Sequence, residues 1–594
     1  MGAAVFVLAF ATYVLSLAPG LGWLDAPEFV AASADLGIPH SPGHPLHPML
    51  GRVAGYLPVG DLAFRVNLLS ALCSALACTA VFAAARELIL ELTTQRGKSR
   101  QWTAALVGVA VALSPALWQQ AVRAEVYGLA TLLTATLVWM TLMYLRTADA
   151  RVLIASALVA GLALATHHLM ALFVFAPAAL VILAVGKSRP SPLRASLAAG
   201  AGITGLSVLA YLPIRAAQSP VINWGDPETA ERFWWTLSGR AFHHNALAER
   251  VSTTGEDTAE VIFALGQSAS VVLLLFALLA AYLALRLGKR RSETVFLLSV
   301  IVLSVAGRVA VGFDPGTPDH VAYLAPAVIS MILLGAYGAA LVAEMALARW
   351  PLSRWLPSVA VASAVAVAAT GYQGNDHSSA HAADALARDD MQDLPPRAVV
   401  LLSYFQTSFR TQALLTAEGA RPDLAIADRS FLTYPGVAEE TKNRHPELAP
   451  AIDAGLAAGS ATALPSLDQL ARQRPVVVEL HPNVDTDLRD QLVSAGSFAR
   501  YRGGKADHLG DLGYVDRRIA AARRAVPAER LGAIEAALWI GWVRARFYCR
   551  ASVTRAIGAE VLRKLEPLAP EDQSLAELAT SCGAPQLFKR ASHM

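Results

Sequence analysis

A mainly helical, polytopic membrane bundle, followed by an external domain that is first α/β and then helical, is the fold class this sequence predicts. Three observations predict it. The 594 residues are 55% hydrophobic and only 16% charged, against about 25% charged in soluble domains. About eleven stretches read as membrane spans, each needing ~20 mainly apolar residues. After Thr370 the chain turns to the polar run GYQGNDHSSAHAADALARDD, which divides it into 1–371 and 372–594.

The predicted spans lie near 2–18, 63–88, 102–118, 127–145, 151–166, 168–186, 195–213, 260–285, 294–312, 321–347 and 355–371. The first lacks a positively charged flank, so it reads as an uncleaved span and not as a signal peptide. Alternate connections carry the positive charge: Arg96, Lys98, Arg100; Arg146, Arg151; Lys187, Arg189, Arg194; Arg286, Lys289, Arg290, Arg291; and Arg349, Arg354. Apart from 214–259, the opposite connections hold little beyond Arg52, Arg65 and Arg123. The positive-inside rule puts the first set, and with it the N-terminus, in the cytoplasm. The loop after the first span, residues 214–259 and everything after 372 then lie outside. Compact loops favour a bacterial inner membrane, with the C-terminal domain periplasmic. A net charge of only +3, with no basic run interleaved with aromatics, speaks against nucleic acid as a partner.

The stretch LDAPEFVAASADLGIPHSPGHPLHPMLGR, residues 24–52, carries Asp25, Glu28 and Asp35 beside His40, His44 and His47. Acids at the edge of a bilayer are costly unless solvated, paired or used, which makes them functional candidates. A short interfacial helix starting at Pro27, with Phe29, Val30 and Leu36 as its apolar side, is expected. Pro39, Pro42, Pro45 and Pro48 then predict an extended segment without helix. The competing reading is a connection that only caps the bundle. In the loop 214–259, Trp224, Trp234, Trp235, Phe233 and Phe242 form an interfacial belt, a sugar platform or a seat for a lipid tail.

Beyond residue 372, AVVLLSY (398–404), DLAIADRS (423–430) and PVVVELH (475–481) read as strands, the first two flanking a helix near 407–418. Residues 517–579 read as helical. Cys549 and Cys582 fall in that part and are either bridged or separate structural cysteines; no ligand spacing for structural zinc is present.

DAPEF, LGIPHSPGHPLHPMLGR and FRVNLLSAL, followed by WQQAVRAEVYGL, GLALATHH, YLPIRAAQSPVINWGDPETAERFWWTLSGR and PDHVAYLAP, resemble the DUF2723 membrane family, which includes transmembrane protein O-mannosyltransferases. The resemblance covers most of 20–430. It implies a GT-C type bundle that transfers a sugar, mannose in the named members, from a polyprenyl-phosphate donor to a hydroxyl acceptor on the outer side. The family's first-loop acid maps onto Asp25 and its companion onto Glu28. Ala26-Pro27 between the acids, and His44 and His47 in place of more usual tyrosines, depart from the family pattern and bear on acceptor choice.

Sugar transfer to a hydroxyl needs a base for the acceptor proton and positive charge for the departing phosphate. Asp25 is the candidate base, with Glu28 three residues on as orienting group or as a helix-terminal charge. Asp35 reads as a solvated surface charge. Arg215, at the end of a span, is the first candidate for gripping a lipid phosphate, with Arg52, Arg123 and Arg240 behind it. A snorkelling anchor is the alternative for each. His40, Glu125, Tyr127, His167, His168, Asn223, Trp224 and Asp226 complete the candidate substrate-binding set, all lying in the matching motifs. Glu125 has the plainer alternative of pairing with Arg123, and the two adjacent histidines that of a packed polar pair. The proline-broken histidines offer no regular metal face, so hydrogen bonding to phosphate or acceptor is their expected role; no cofactor is expected beyond the lipid-linked sugar as co-substrate, with a divalent metal as the open alternative. Partners are then that lipid, membrane lipids, and a protein, glycan or lipid acceptor. Two other classes compete. A transporter or flippase of a lipid-linked sugar predicts inverted repeats and midplane ionisable groups, and an envelope assembly factor has no need of the acids in the first loop.

Overall fold

The computed structural model describes residues 1–92, 97–185, 189–242, 254–288, 290–346, 351–369, 372–392, 394–457, 464–480, 491–495, 497–501, 512–550, 552 and 554–588. Arg96, Lys187, Lys289, Arg349 and the last residue of the third predicted strand, His481, lie outside them. The chain divides into two compact units, one of residues 1–18, 38–218 and 233–378, the other of 19–37, 219–232 and 379–594. Segments 19–37 and 219–232, within the stretch read from sequence as membrane-spanning, are thus counted with the second unit.

The first unit is the membrane-spanning one, and the chain is an integral membrane protein. Among the described residues six helices are long and apolar enough to cross a membrane, or up to eight if each of two bent pairs is one span. Eleven were expected, and the shortfall has local causes. The predicted spans 151–166 and 168–186 are two helical stretches of Ala150–Ala184 joined across a kink at His167 (φ −154°, ψ 88°), where the sequence divided them, and together they count as one span. The helices Gly2–Leu15 and Leu356–Ala369 have 14 residues each, short of the usual span. Lys98–Leu113 bends by 64° into Pro115–Ala121; Ser114 is extended there and Pro115 opens the next helix, a position where its missing N–H costs nothing. A 100° bend falls before Val271–Leu287, at Ser270 with φ +65°.

Ala325–Ala346 is the central helix, with 94% of its most apolar window buried, whereas Pro192–Ala216 has only 17% buried. Apolar burial cannot distinguish helix from lipid, so close backbone approach at small residues has to supply the packing. Gly338 lies against the Phe276 carbonyl and Gly205 against that of Leu158, leaving no room for a Cβ at either.

The proline-rich segment departs from expectation. A helix forms at Leu46–Ala54, with Pro48 in its first turn, where a helix tolerates proline.

In the second unit, β1 (Val399–Leu402), β2 (Ala425–Asp428) and β3 (Val476–Val478) pair in parallel, and β4 (Leu492–Ala495) and β5 (Phe498–Tyr501) add an antiparallel edge in the order β2-β1-β3-β5-β4. Val400 stands between Ile426 and Val477. Strands covered on both faces read as continuous apolar runs, which is why VVLL and VVV were legible and the mixed LVSA and FARY were not. The helices Gly513–Arg524, Pro527–Cys549, Arg555–Leu565 and Gln573–Ser581 follow around a core that includes Tyr514, Val561, Leu562 and Leu575. Cys549 and Cys582 are joined by a disulfide across 33 residues, while Cys73 and Cys78 are free and buried.

The helix expected near Pro27 runs Ala26–Asp35 and is buried along residues 26–33, so it is an enclosed helix and not an interfacial one. It packs against Phe405–Ala417. Asp35 is no solvated charge: its Oδ2 accepts the Val221 N–H at 2.6 Å, tying two chain segments of this unit together.

Gly338→Leu is expected to cost about 1–3 kcal/mol through overpacking, read as a lowered thermal midpoint in detergent; an unchanged midpoint contradicts the close crossing. Cys582→Ser is expected to lower stability by about 4 kcal/mol on loop-closure grounds, measured by denaturant unfolding with a thiol titration.

Candidate active site

Within the first unit a continuous set of rings and one guanidinium gathers residues from distant segments. His44 lies 5.1 Å from His40 and 5.5 Å from His167, ring centre to ring centre. His167 meets Tyr127 at 5.4 Å and Tyr323 at 5.0 Å, and the two tyrosines are 5.6 Å apart. Arg308 lies over the Tyr323 ring at 5.0 Å. At the other end His40 meets Phe242 at 6.1 Å, and His168 is 6.4 Å from His167. The broken backbone at His167 is used: His44 Nδ1 is 2.7 Å from the Thr166 carbonyl oxygen. A carbonyl only accepts, so Nδ1 carries the proton and, in the neutral ring, Nε2 is the acceptor.

A buried ionic network supports this cluster. Arg123 Nη1 is 3.1 Å from Glu125 Oε1, and Nη2 pairs with Asp319 and donates to Gln120 Oε1 at 2.9 Å. Gln120 Nε2 donates in turn to the Pro318 carbonyl at 2.8 Å. Arg123 and Glu125 are 6% and 1% exposed. The structure thus holds Arg123 with two carboxylates, the pairing that sequence offered as the plainer role for Glu125. Two residues beyond Glu125 stands Tyr127, and four beyond Asp319 stands Tyr323.

Other predicted cations stand apart from this cluster. Arg52 is exposed and lies over Tyr56, one helical turn away. Arg240 is exposed, and Arg215, half-buried, donates to Gln218. Sequence reasoning passed over Arg308, which is 3% exposed inside the helix Arg291–Val311 and donates from Nε to the Gly312 carbonyl at 2.8 Å. The signal was present, since an arginine inside an apolar span is itself a functional pointer. Asp319 and Tyr323 were likewise in the quoted motif PDHVAYLAP without being singled out.

In the second unit Asp25 caps the helix Ala26–Asp35 and is half-buried, and Glu28 in the first turn is fully buried. The turn is anchored from both sides. Leu21 N–H donates to Asp384 at 3.1 Å, and Trp23 lies under the Arg410 guanidinium at 5.1 Å while its Nε1 donates to Glu529 at 3.3 Å.

Asn223, Trp224 and Asp226 lie at a separate cavity of this second unit, with Phe409, Phe431, Tyr434, Asp428 and Glu440. Asn223 Nδ2 donates to Asp226 Oδ1 at 3.2 Å and to Glu440 Oε1, and Asp226 is paired with Arg232. Gly436, at φ +77°, packs against the Asp226 side chain with no room for a Cβ. Burial pushes the Glu440 carboxyl up to about 7 and raises that of Asp428.

Residues 25–191 match the family described as the Protein O-mannosyl-transferase TMEM260 N-terminal domain. The chain is 26% identical over 455 residues to Protein O-mannosyl-transferase TMEM260 of Mus musculus, covering 73% of this chain and 63% of that protein. To the Dictyostelium discoideum protein of the same name it is 22% identical over 145 residues, covering 24% of this chain and 17% of that one. The match therefore spans less than two thirds of these relatives. Among solved structures, ArnT from Cupriavidus metallidurans, bound to undecaprenyl phosphate, superimposes with a TM-score of 0.52 at 12% identity, covering 84% of this chain and 97% of that chain. The apo form gives a TM-score of 0.52 at 14% identity, with 84% and 97% covered. The chain is thus similar to the TMEM260 N-terminal family over the region holding Asp25 and much of the ring cluster, and it has the fold of ArnT.

Proposed function

We propose that this protein is a membrane glycosyltransferase of GT-C type that moves a sugar from a polyprenyl-phosphate donor to a hydroxyl acceptor. Arg308 is the observation that carries this reading. A guanidinium buried inside a membrane-spanning helix needs an anion or dense hydrogen bonding to be tolerated, and a phosphate ester at the membrane surface matches its fork. The ArnT relative in fold was solved with undecaprenyl phosphate, a ligand of that kind. The DUF2723 resemblance and the similarity to O-mannosyltransferases favour mannose as the sugar and serine or threonine of an exported polypeptide as acceptor.

In the proposed reaction the acceptor oxygen attacks the anomeric carbon as the carbon–oxygen bond to phosphate breaks. Asp25 takes the hydroxyl proton, Glu28 orients the acid or the acceptor, and polyprenyl phosphate departs. Positive charge at the phosphate steadies the leaving group, with Arg308 first and Arg215 second. His40, His44, His167, His168, Tyr127 and Tyr323 supply hydrogen bonds and ring faces. No resident metal is part of the proposal. On this reading the N-terminus is cytoplasmic and residues 372–594 lie outside a bacterial inner membrane, as the positive charge of alternate connections favours.

Asp25→Asn should abolish transfer from a polyprenyl-phosphate sugar in isolated membranes while the thermal midpoint stays unchanged; retained transfer removes Asp25 from the mechanism. Arg308→Met should lower kcat/KM by about a hundredfold, the scale of losing a donor to developing charge, and Arg308→Lys should recover only part. Full activity in Arg308→Met, with the fold intact, would show the guanidinium to be a helix-end anchor.

A further inference from the structure

The cavity of the second unit has chemistry that points to a ligand of its own. Its rings come from three segments: Trp224, Phe409 at the helix after β1, and Phe431 and Tyr434 after β2. Trp224 is the hub, 4.7 Å from Phe431, 5.5 Å from Tyr434 and 6.3 Å from Phe409. Trp224, Phe431 and Tyr434 are only half-buried, so solvent reaches them. The site adjoins the carboxyl end of β2, and crevices at carboxyl ends of parallel strands are where such sheets take ligands.

The polar groups in the wall are mixed: Gln412, Thr441 and Arg444 stand beside Asn223, Asp428 and Glu440. Both Asn223 Nδ2 hydrogens are engaged by carboxylates, which fixes the amide orientation and leaves Oδ1 as a buried acceptor with no hydrogen bond among the described residues. Asp428 is 8% exposed; its Oδ1 accepts the Ser430 N–H at 2.9 Å, and the Ser408 and Ser430 hydroxyls also act on its carboxyl. Buried acceptors without donors are costly and call for an explanation. A partner that satisfies Asn223 Oδ1 brings a donor.

Charge decides which donors. Asp226 is paired with Arg232, Arg429 acts on Asp428, and Arg444 and Arg232 act on Glu440. Three carboxylates already face three guanidinium groups, so a cation would find little net charge to answer. A neutral ring with a C–H face for Trp224 and a rim of hydroxyls, which donate to Asn223 Oδ1 and both donate to and accept from the mixed polar wall, fits these observations. We propose that this cavity is a carbohydrate-binding subsite that seats one pyranose unit, separate from Asp25 and independent of the transfer reaction proposed above.

The test is saturation-transfer NMR on the full-length protein in detergent micelles, with methyl mannopyranoside, methyl galactopyranoside and N-acetylglucosamine as probes and methylguanidinium as the cationic control. At least one sugar should receive saturation. Asp428→Asn and Trp224→Leu, checked for an unchanged thermal midpoint, should each weaken binding by about tenfold, the scale of one charge-assisted hydrogen bond or one stacking face. Asp25→Asn should leave the signal intact. Absence of signal from every sugar overturns the proposal. So does binding of methylguanidinium in place of sugar, or a sugar signal lost in Asp25→Asn and kept in the two cavity variants.

Discussion

The Arg123 guanidinium, shared between Glu125 and Asp319, is the interaction on which the first unit's polar cluster depends. It fastens the start of the helix Val126–Thr147 to the short helix Pro318–Ala322. The two tyrosines that meet His167 follow directly from those two attachments. Removing one member of a buried ion pair leaves the other uncompensated, at roughly 3–5 kcal/mol. The network has three charges and a net negative sign, so it needs the additional donor contacts and cannot be read as a simple stabilising bridge. Its contribution is to place rings, and through Tyr323 the Arg308 guanidinium, in one arrangement.

The break at His167 belongs to the same logic. In a membrane-spanning unit every backbone group has to find its partner within protein or water. A helix interrupted in mid-course exposes carbonyls, and the structure answers one of them with the His44 ring. That contact sets the His44 tautomer and brings a residue of the proline-rich segment against the span. An unbroken helix would have given a smoother span and no such junction.

The first unit gathers histidine and tyrosine rings with Arg308 in its polar cluster. The second unit carries Asp428 at the end of β2 and Glu440 on the helix Val437–Arg444. Burial raises the carboxyls of Asp428 and Glu440 even with guanidinium groups nearby, and Asp226 adds to the rise at Glu440.

Local pattern was enough for many of the elements, though not for the helix Leu46–Ala54 or the strands β4 and β5. Apolar length gave most spans, the continuous runs VVLL and VVV gave parallel strands, and Pro27 marked a helix start within one residue. The histidine break between two predicted spans was also legible, though the chain stays helical on both sides of it. What tertiary structure alone decided is pairing across long separations: Arg123 with Asp319, His44 with Thr166, Asp35 with Val221, Cys549 with Cys582. Side-chain type and spacing state which groups need a partner, but the partner is chosen by how helices and strands pack. Arg308 already stood out by lying inside a predicted span, but only the packed structure shows that it turns onto Tyr323 and the Gly312 carbonyl.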